Sequence, residues 1–222
     1  MINEIANSDL IDEAYSWLCQ QRRHFPVNSD FWDVRFHWQT VKAKLIAELT
    51  SNTFNFKPLQ KVTKSTGEVI HVWTSIDSLV PKLLSLVLSR HLPSSKLGTH
   101  LKGNGGSKHT VTETQNQVSS HTFVFRADVK SYHESINHEI LLDKLAVYVK
   151  DKRVMNLLPQ YAKRSVEYGG LFINSKQGIS SDCSLSFLIS GFYLCELDNA
   201  MEGKPVFYRR YVDDVIVLST SR

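Results

Sequence analysis

Residues 206–218 read Val-Phe-Tyr-Arg-Arg-Tyr-Val-Asp-Asp-Val-Ile-Val-Leu, two β-prone runs that meet at adjacent aspartates. Branched and aromatic residues bounding a polar pair predict a β-hairpin with Asp213 and Asp214 at its tip. Neighbouring carboxylates between strands of core composition repel one another and lose hydration unless positive charge lies beside them. A divalent cation supplies that charge; an ordinary acidic turn is the alternative, because Asp is a common turn residue. A third carboxylate, Asp128, ends a second apolar strand within residues 122–130, expected to be nearly all buried. Alone it reads as either a satisfied core acid or a metal ligand. Carboxylates converging from separate strands are the oxygen-rich set that Mg²⁺ prefers.

The motifs around these acids resemble a known family. Tyr211-Val-Asp-Asp214 is similar to the signature hairpin of reverse transcriptases, and Asp128-Val-Lys-Ser-Tyr132-His-Glu-Ser-Ile136 resembles the metal-binding strand that precedes it. The likeness is to bacterial group II intron-like or retron-like members and covers roughly Phe54 to Leu218. It implies an α+β fold of fingers and palm, with an antiparallel palm sheet covered by helices and the thumb absent, the chain being cut after the Tyr-Val-Asp-Asp motif. Residues 1–53 would form an N-terminal helical region, 54–121 the fingers, and 122–222 an incomplete palm interleaved with fingers elements.

The resemblance further implies an RNA-directed DNA polymerase that transfers dNTPs to a primer 3′ end with two Mg²⁺ ions, Mn²⁺ being the alternative ion. Asp128, Asp213 and Asp214 would be catalytic, and the metals would be held by Asp128 and Asp213 with the Val129 carbonyl. Successive strand residues point oppositely, so Asp214 is expected to be the less direct ligand. Nucleotide contacts are expected from Lys61 and Lys64, with His71 a further basic candidate, and from Tyr132, His133, Gln177 and Gly178. Lys102, Lys108 and Tyr211 are expected to meet nucleic acid. The implied partners are an RNA template, a DNA or RNA primer, and a thumb-supplying segment or partner protein. Three positions depart from the family pattern: His133 stands where relatives carry Phe or Tyr, Asp182 where they carry Gly, and Phe187 where they carry Pro. These departures keep a catalytically silent, nucleic-acid-binding remnant as the competing reading.

Along the chain, Ser8 is expected to cap a helix bearing Leu10, Ala14, Trp17 and Leu18, and a second helix should start after Ser29 with Val34, Trp38, Val41 and Leu45 on one stripe. Residues 54–73 read as a hairpin turning at Ser65-Thr66-Gly67. A helix over 75–90 requires Pro81 in its first turn. The glycine-rich run Leu101–Lys108 lets backbone approach a ligand but is not a P-loop, because no strand leads into a G-K-[ST] ending. A polar helix is expected near 111–120. Asn137 should cap a helix with Ile140, Leu141, Leu145 and Val149 inward, residues 150–153 read as a solvated connection, Gly169-Gly170 marks a short hairpin, and residues 184–201 read as one helix with Leu188, Phe192 and Leu197 inward.

With 222 residues and 42% hydrophobic content the chain can bury a substantial core. Its net charge of +4 suits a polyanionic partner without demanding one. Cys19, Cys183 and Cys195 form no C-x-x-C pair, which excludes zinc-ribbon and dithiol-redox patterns. No apolar run approaches membrane-spanning length, and a cytoplasmic location without membrane partners is expected.

Overall fold

The computed structural model describes residues 1–221 with the exception of 64, 68 and 182. The chain starts with four helices, α1 (Ile2–Ile5), α2 (Ser8–Arg22), α3 (Asp30–Phe36) and α4 (Trp38–Ser51). Asn7, not Ser8, caps α2, its side-chain oxygen accepting from the backbone N–H groups of Asp9 and Leu10 at 2.9 and 3.1 Å. A helix does begin after Ser29, as expected, and the Ser29 side chain caps it. The expected single helix beyond Ser29 is instead broken at His37, and α4 restarts at Trp38, whose ring stacks on Tyr15 at 3.8 Å.

Next come β1 (Leu59–Thr63) and β2 (Val69–Val72), paired antiparallel, then α5 (Ser75–Leu88). Pro81 lies in the second turn of α5, not the first. The helix tolerates it because Leu79, Val80, Leu83 and Leu84 around it are fully buried, so packing outweighs one lost backbone bond. Arg22, itself buried, ties α2 to the start of α5 through Ser75 Oγ (2.6 Å), the Trp73 carbonyl (2.7 Å) and Ser78 Oγ (2.8 Å).

The remainder comprises α6 (Gly106–Val118), β3 (Phe123–Ala127), α7 (Tyr132–Ser135), α8 (His138–Tyr148), α9 (Lys152–Ala162), β4 (Ser165–Tyr168), β5 (Leu171–Asn174), α10 (Ser184–Tyr193), α11 (Cys195–Met201), β6 (Phe207–Tyr211) and β7 (Asp214–Ser219). Two sheets result. One has the order β2-β1-β4-β5, with β1 and β4 parallel and its other pairs antiparallel; the other, β3-β7-β6, is wholly antiparallel.

Several expectations are corrected here. Strand β3 is not buried: Val124 and Phe125 are each 60% exposed. It forms one edge of its sheet, while Leu218 on the central β7 and Tyr208 and Arg210 on β6, along which residues 97–99 are hydrogen-bonded, carry the buried side chains. Ile140 is exposed, because α8 turns His138, Leu141 and Leu145 inward, and Ile140 lies off that stripe. The segment 184–201 breaks at Leu194, which shifts the phase so that Cys195 and Asp198 face inward and Leu197 outward. Asp151 is no part of a loose connection: it caps α9 and accepts from the Ile2 N–H at 2.9 Å.

Candidate active site

The hairpin of β6 and β7 pairs Tyr211 with Asp214, leaving Val212 and Asp213 as a two-residue turn. Asp213 therefore occupies the tip, whereas Asp214, expected beside it there, is the first residue of β7. Val212 sits at φ +57°, a left-handed conformation that two-residue hairpin turns favour and that a branched residue adopts only under constraint. On the neighbouring strand Ala127 pairs with Val215, so Asp128 follows immediately beyond the last rung of the ladder. Asp128 and Asp213 line the same open cleft of about 580 Å³.

The opposite wall comes from α7 and the segment before α10. Gly178 donates to the Ile136 carbonyl at 2.7 Å, Ile179 donates to the His133 carbonyl at 2.8 Å, and His138 Nε2 donates to the Gly178 carbonyl at 2.6 Å. Gly178 has φ +86°, and a Cβ there would stand 2.6 Å from the backbone oxygen of Glu134, so glycine is required twice over. This docking brings Gln177 and Gly178 onto the cleft beside Val129, Tyr132 and His133. Tyr132 is a core residue with one edge on the cleft: it is 4% exposed, its hydroxyl donates to the Ser190 carbonyl at 2.7 Å, and burial raises its pKa well above 10.

Asp214 faces elsewhere. Its carboxylate accepts from Arg126 at 3.0 and 3.2 Å and borders a second cavity of about 430 Å³ with Arg209, Tyr211 and residues of α6. Among the described residues no three His, Cys, Asp or Glu side chains are gathered closely enough to hold a metal ion. The cleft does offer two carboxylates. No hydrogen bond or ion pair joins Asp128 or Asp213 to another described residue, and their hard oxygen donors fit a magnesium-type ion by chemistry.

The other expected contact residues are dispersed. Of the basic residues on the β1–β2 hairpin, His71 lines the cleft, while Lys61 places Nζ 4.7 Å from the Tyr168 ring centroid. Lys102 and Lys108 are exposed near and within the start of α6, and Tyr211 borders the second cavity. Lys64 and Asp182 lie outside the described residues.

Arg164 also lines the cleft and was not singled out from the sequence. Its guanidinium lies 3.3 Å from the Trp73 ring centroid, faces Asp77 at 3.8 Å and donates to the Lys57 carbonyl at 2.8 Å. Burial lowers its pKa to about 10. Its Nε and Nη1 have no hydrogen-bond partner among the described residues. The only signal in the sequence is a basic residue directly before a hairpin, which reads as surface.

A chain of a partial Cas6-RT-Cas1–Cas2 complex superposes with a TM-score of 0.62 at 16% identity, over 99% of this chain and 38% of that one. A chain of the Cas6-RT-Cas1–Cas2 complex gives the same TM-score and identity, over 99% of this chain and 24% of its own length. The fold is reverse-transcriptase-like, a mixed α+β arrangement with mostly antiparallel sheets.

Two curated proteins named for introns are similar to the chain in sequence. The "Putative COX1/OXI3 intron 1 protein" of Saccharomyces cerevisiae is 22% identical over 175 residues, covering 75% of this chain and 21% of the relative. The "Uncharacterized 91 kDa protein in cob intron" of Schizosaccharomyces pombe is 25% identical over 170 residues, covering 72% and 21%. The chain thus spans about a fifth of the length of these relatives. No family model matches it. Among the described residues no helix is long and apolar enough to cross a membrane.

Proposed function

We propose that this chain carries the nucleotidyl-transfer centre of an RNA-directed DNA polymerase, a reverse transcriptase fragment that adds dNTPs to a primer 3′ end on an RNA template. The observation that carries the reading is that Asp128 and Asp213, 85 positions apart by their numbering, border one cleft whose facing wall holds Gln177, Gly178, Tyr132 and His133. Asp128, Asp213 and the Val129 carbonyl would hold Mg²⁺. Bound there, the ion would neutralise triphosphate charge and favour ionisation of the primer hydroxyl.

The chain's own residues do the rest. The Gln177-Gly178 backbone, fixed against α7 through the close approach that only glycine allows at 178, gives a rigid surface on which a base and sugar can lie. The His133 ring stands on the cleft wall, where it would crowd a 2′-hydroxyl. His71 brings a basic group to the same cleft for phosphate oxygens. A segment or partner supplying a thumb belongs to the same proposal, in which Asp214, engaged by Arg126, is the least direct of the three acids.

The Arg126–Asp214 ion pair favours a second reading, a remnant that binds nucleic acid without turnover, because it engages an acid the family would use near metal. Primer extension on an RNA template with dNTPs and Mg²⁺ separates the two. The polymerase reading expects extension that disappears in Asp213→Asn. The remnant reading expects template binding, no extension, and indifference to that substitution.

A further inference from the structure

The turn that presents Asp213 is held from behind. Both peptide groups of Val212 are engaged by side chains: its N–H donates to His100 Nδ1 at 3.1 Å, and its carbonyl accepts from Arg210 Nη1 at 2.6 Å. Arg210 is 0% exposed and grips Asp198 with two bonds, Nε to Oδ1 at 2.8 Å and Nη2 to Oδ2 at 2.5 Å. Asp198 also accepts from the Tyr208 hydroxyl at 2.8 Å, and Arg210 Nη2 donates to the Gly191 carbonyl at 3.2 Å.

The surroundings leave these groups little freedom. A Cβ on Gly98 would stand 3.2 Å from Arg210 Nη2 and 3.3 Å from Asp198 Oδ2, and one on Gly191 would stand 3.0 Å from His100 Nε2. The segment carrying His100 is pinned to β6 by its backbone: Arg210 donates to the Leu97 carbonyl at 2.9 Å and Thr99 donates to the Arg210 carbonyl at 2.8 Å. A buried ion pair is an uncertain source of stability, since desolvation offsets much of its attraction. What the pair does here is fix the guanidinium through its fork on Asp198, so that the remaining Nη1 donor is aimed at the Val212 carbonyl, in a turn that a branched residue adopts only when constrained.

We propose that His100 and Arg210, the latter seated on Asp198, are positioning residues that lock the Val212 peptide and thereby set the direction in which Asp213 enters the cleft. The inference rests on the polymerase reading of that cleft. Neither residue lines the cleft. Their effect is on how well the Asp213 carboxylate is preorganised, so their loss acts on turnover and metal requirement more than on dNTP capture.

The test is primer extension with Mg²⁺ titration on the chain and on His100→Leu, His100→Asn and Asp213→Asn. Asn places an acceptor oxygen about where Nδ1 stood; Leu does not. The expected result is that His100→Leu lowers kcat about tenfold or more and raises the Mg²⁺ needed for half-maximal rate, with KM for dNTP within about twofold, and that His100→Asn recovers most of the loss. Extension by His100→Leu equal to the parent, with Asp213→Asn inactive, overturns the inference alone. A parent that does not extend, or an Asp213→Asn variant as active as the parent, overturns the polymerase reading and the inference with it. Nitrogen-15 NMR of the unsubstituted chain gives a check that needs no variant: His100 should carry its proton on Nε2 and the Val212 amide should exchange slowly. A proton on Nδ1 overturns the clamp.

Discussion

Arg126 holds Asp214 by a forked contact, its Nη2 and Nε both donating to Oδ1, at 3.0 and 3.2 Å. The pair is largely solvated, with side chains 73% and 44% exposed, so its contribution to stability is at most about 1 kcal/mol. Asp214→Asn should leave the melting temperature nearly unchanged. Because Asp128 and Asp213 face the cleft and Asp214 does not, primer extension should fall less than about tenfold in Asp214→Asn and by about 10²-fold or more in Asp128→Asn and Asp213→Asn. Equal losses in all three would show that Asp214 leaves Arg126 during turnover.

Gly178→Ala tests the floor of the cleft. The added methyl would meet the Glu134 backbone 2.6 Å away at a φ of +86°, and the left-handed conformation alone costs an L-residue about 1–2 kcal/mol. The variant should unfold at lower urea concentration and lose extension even at temperatures where it stays folded. Unchanged stability would mean that residues 177–179 do not dock on α7 as described.

Arg164 and Asp77 form a buried pair, with side chains 4% and 3% exposed. Arg164→Met strands the Asp77 carboxylate, whose pKa burial already raises, and should cost about 3–5 kcal/mol of unfolding free energy. Adding Asp77→Asn should recover a substantial part of that loss. Denaturant melts of both singles and the double form the cycle that checks it. Strict additivity would contradict a direct coupling.

Burial, assisted by the charge of Arg210, lowers the His100 pKa from 6.5 to about 4. The folded chain therefore resists a proton that the unfolded chain accepts. Stability from this group is fully present above pH 6.5 and is lost as pH falls toward 4. The slope of unfolding free energy against pH across that window should be shallower in His100→Asn. Identical slopes would place the acid sensitivity in other groups.

The sequence made the local chemistry legible and left the long-range chemistry hidden. Alternating branched and aromatic residues located the hairpin carrying Asp213, the Gly169-Gly170 turn located β4 and β5, and short polar side chains located the caps at Ser29 and Asn137. The apolar run of β3 looks like an inner strand, whereas the pairing order places it at an edge of its sheet and leaves Val124 and Phe125 exposed. Leu197 was misassigned because a one-residue break at Leu194 resets the helical phase. Arg210, Asp198 and His100 escaped notice for a different reason. Charged residues in a sequence read as surface, and nothing local indicates that an arginine and an aspartate 12 positions apart meet at 0% exposure.

In the proposed polymerase the Asp128 and Asp213 carboxylates serve one metal-binding cleft. Electron paramagnetic resonance of Mn²⁺ added to the chain with primer–template and dNTP, with Mg²⁺ as competitor, addresses it most directly. Bound Mn²⁺ that Mg²⁺ displaces is expected, with binding markedly weakened by either Asp128→Asn or Asp213→Asn and retained in Asp214→Asn. Mn²⁺ binding of the same strength in the parent, Asp128→Asn and Asp213→Asn would contradict it.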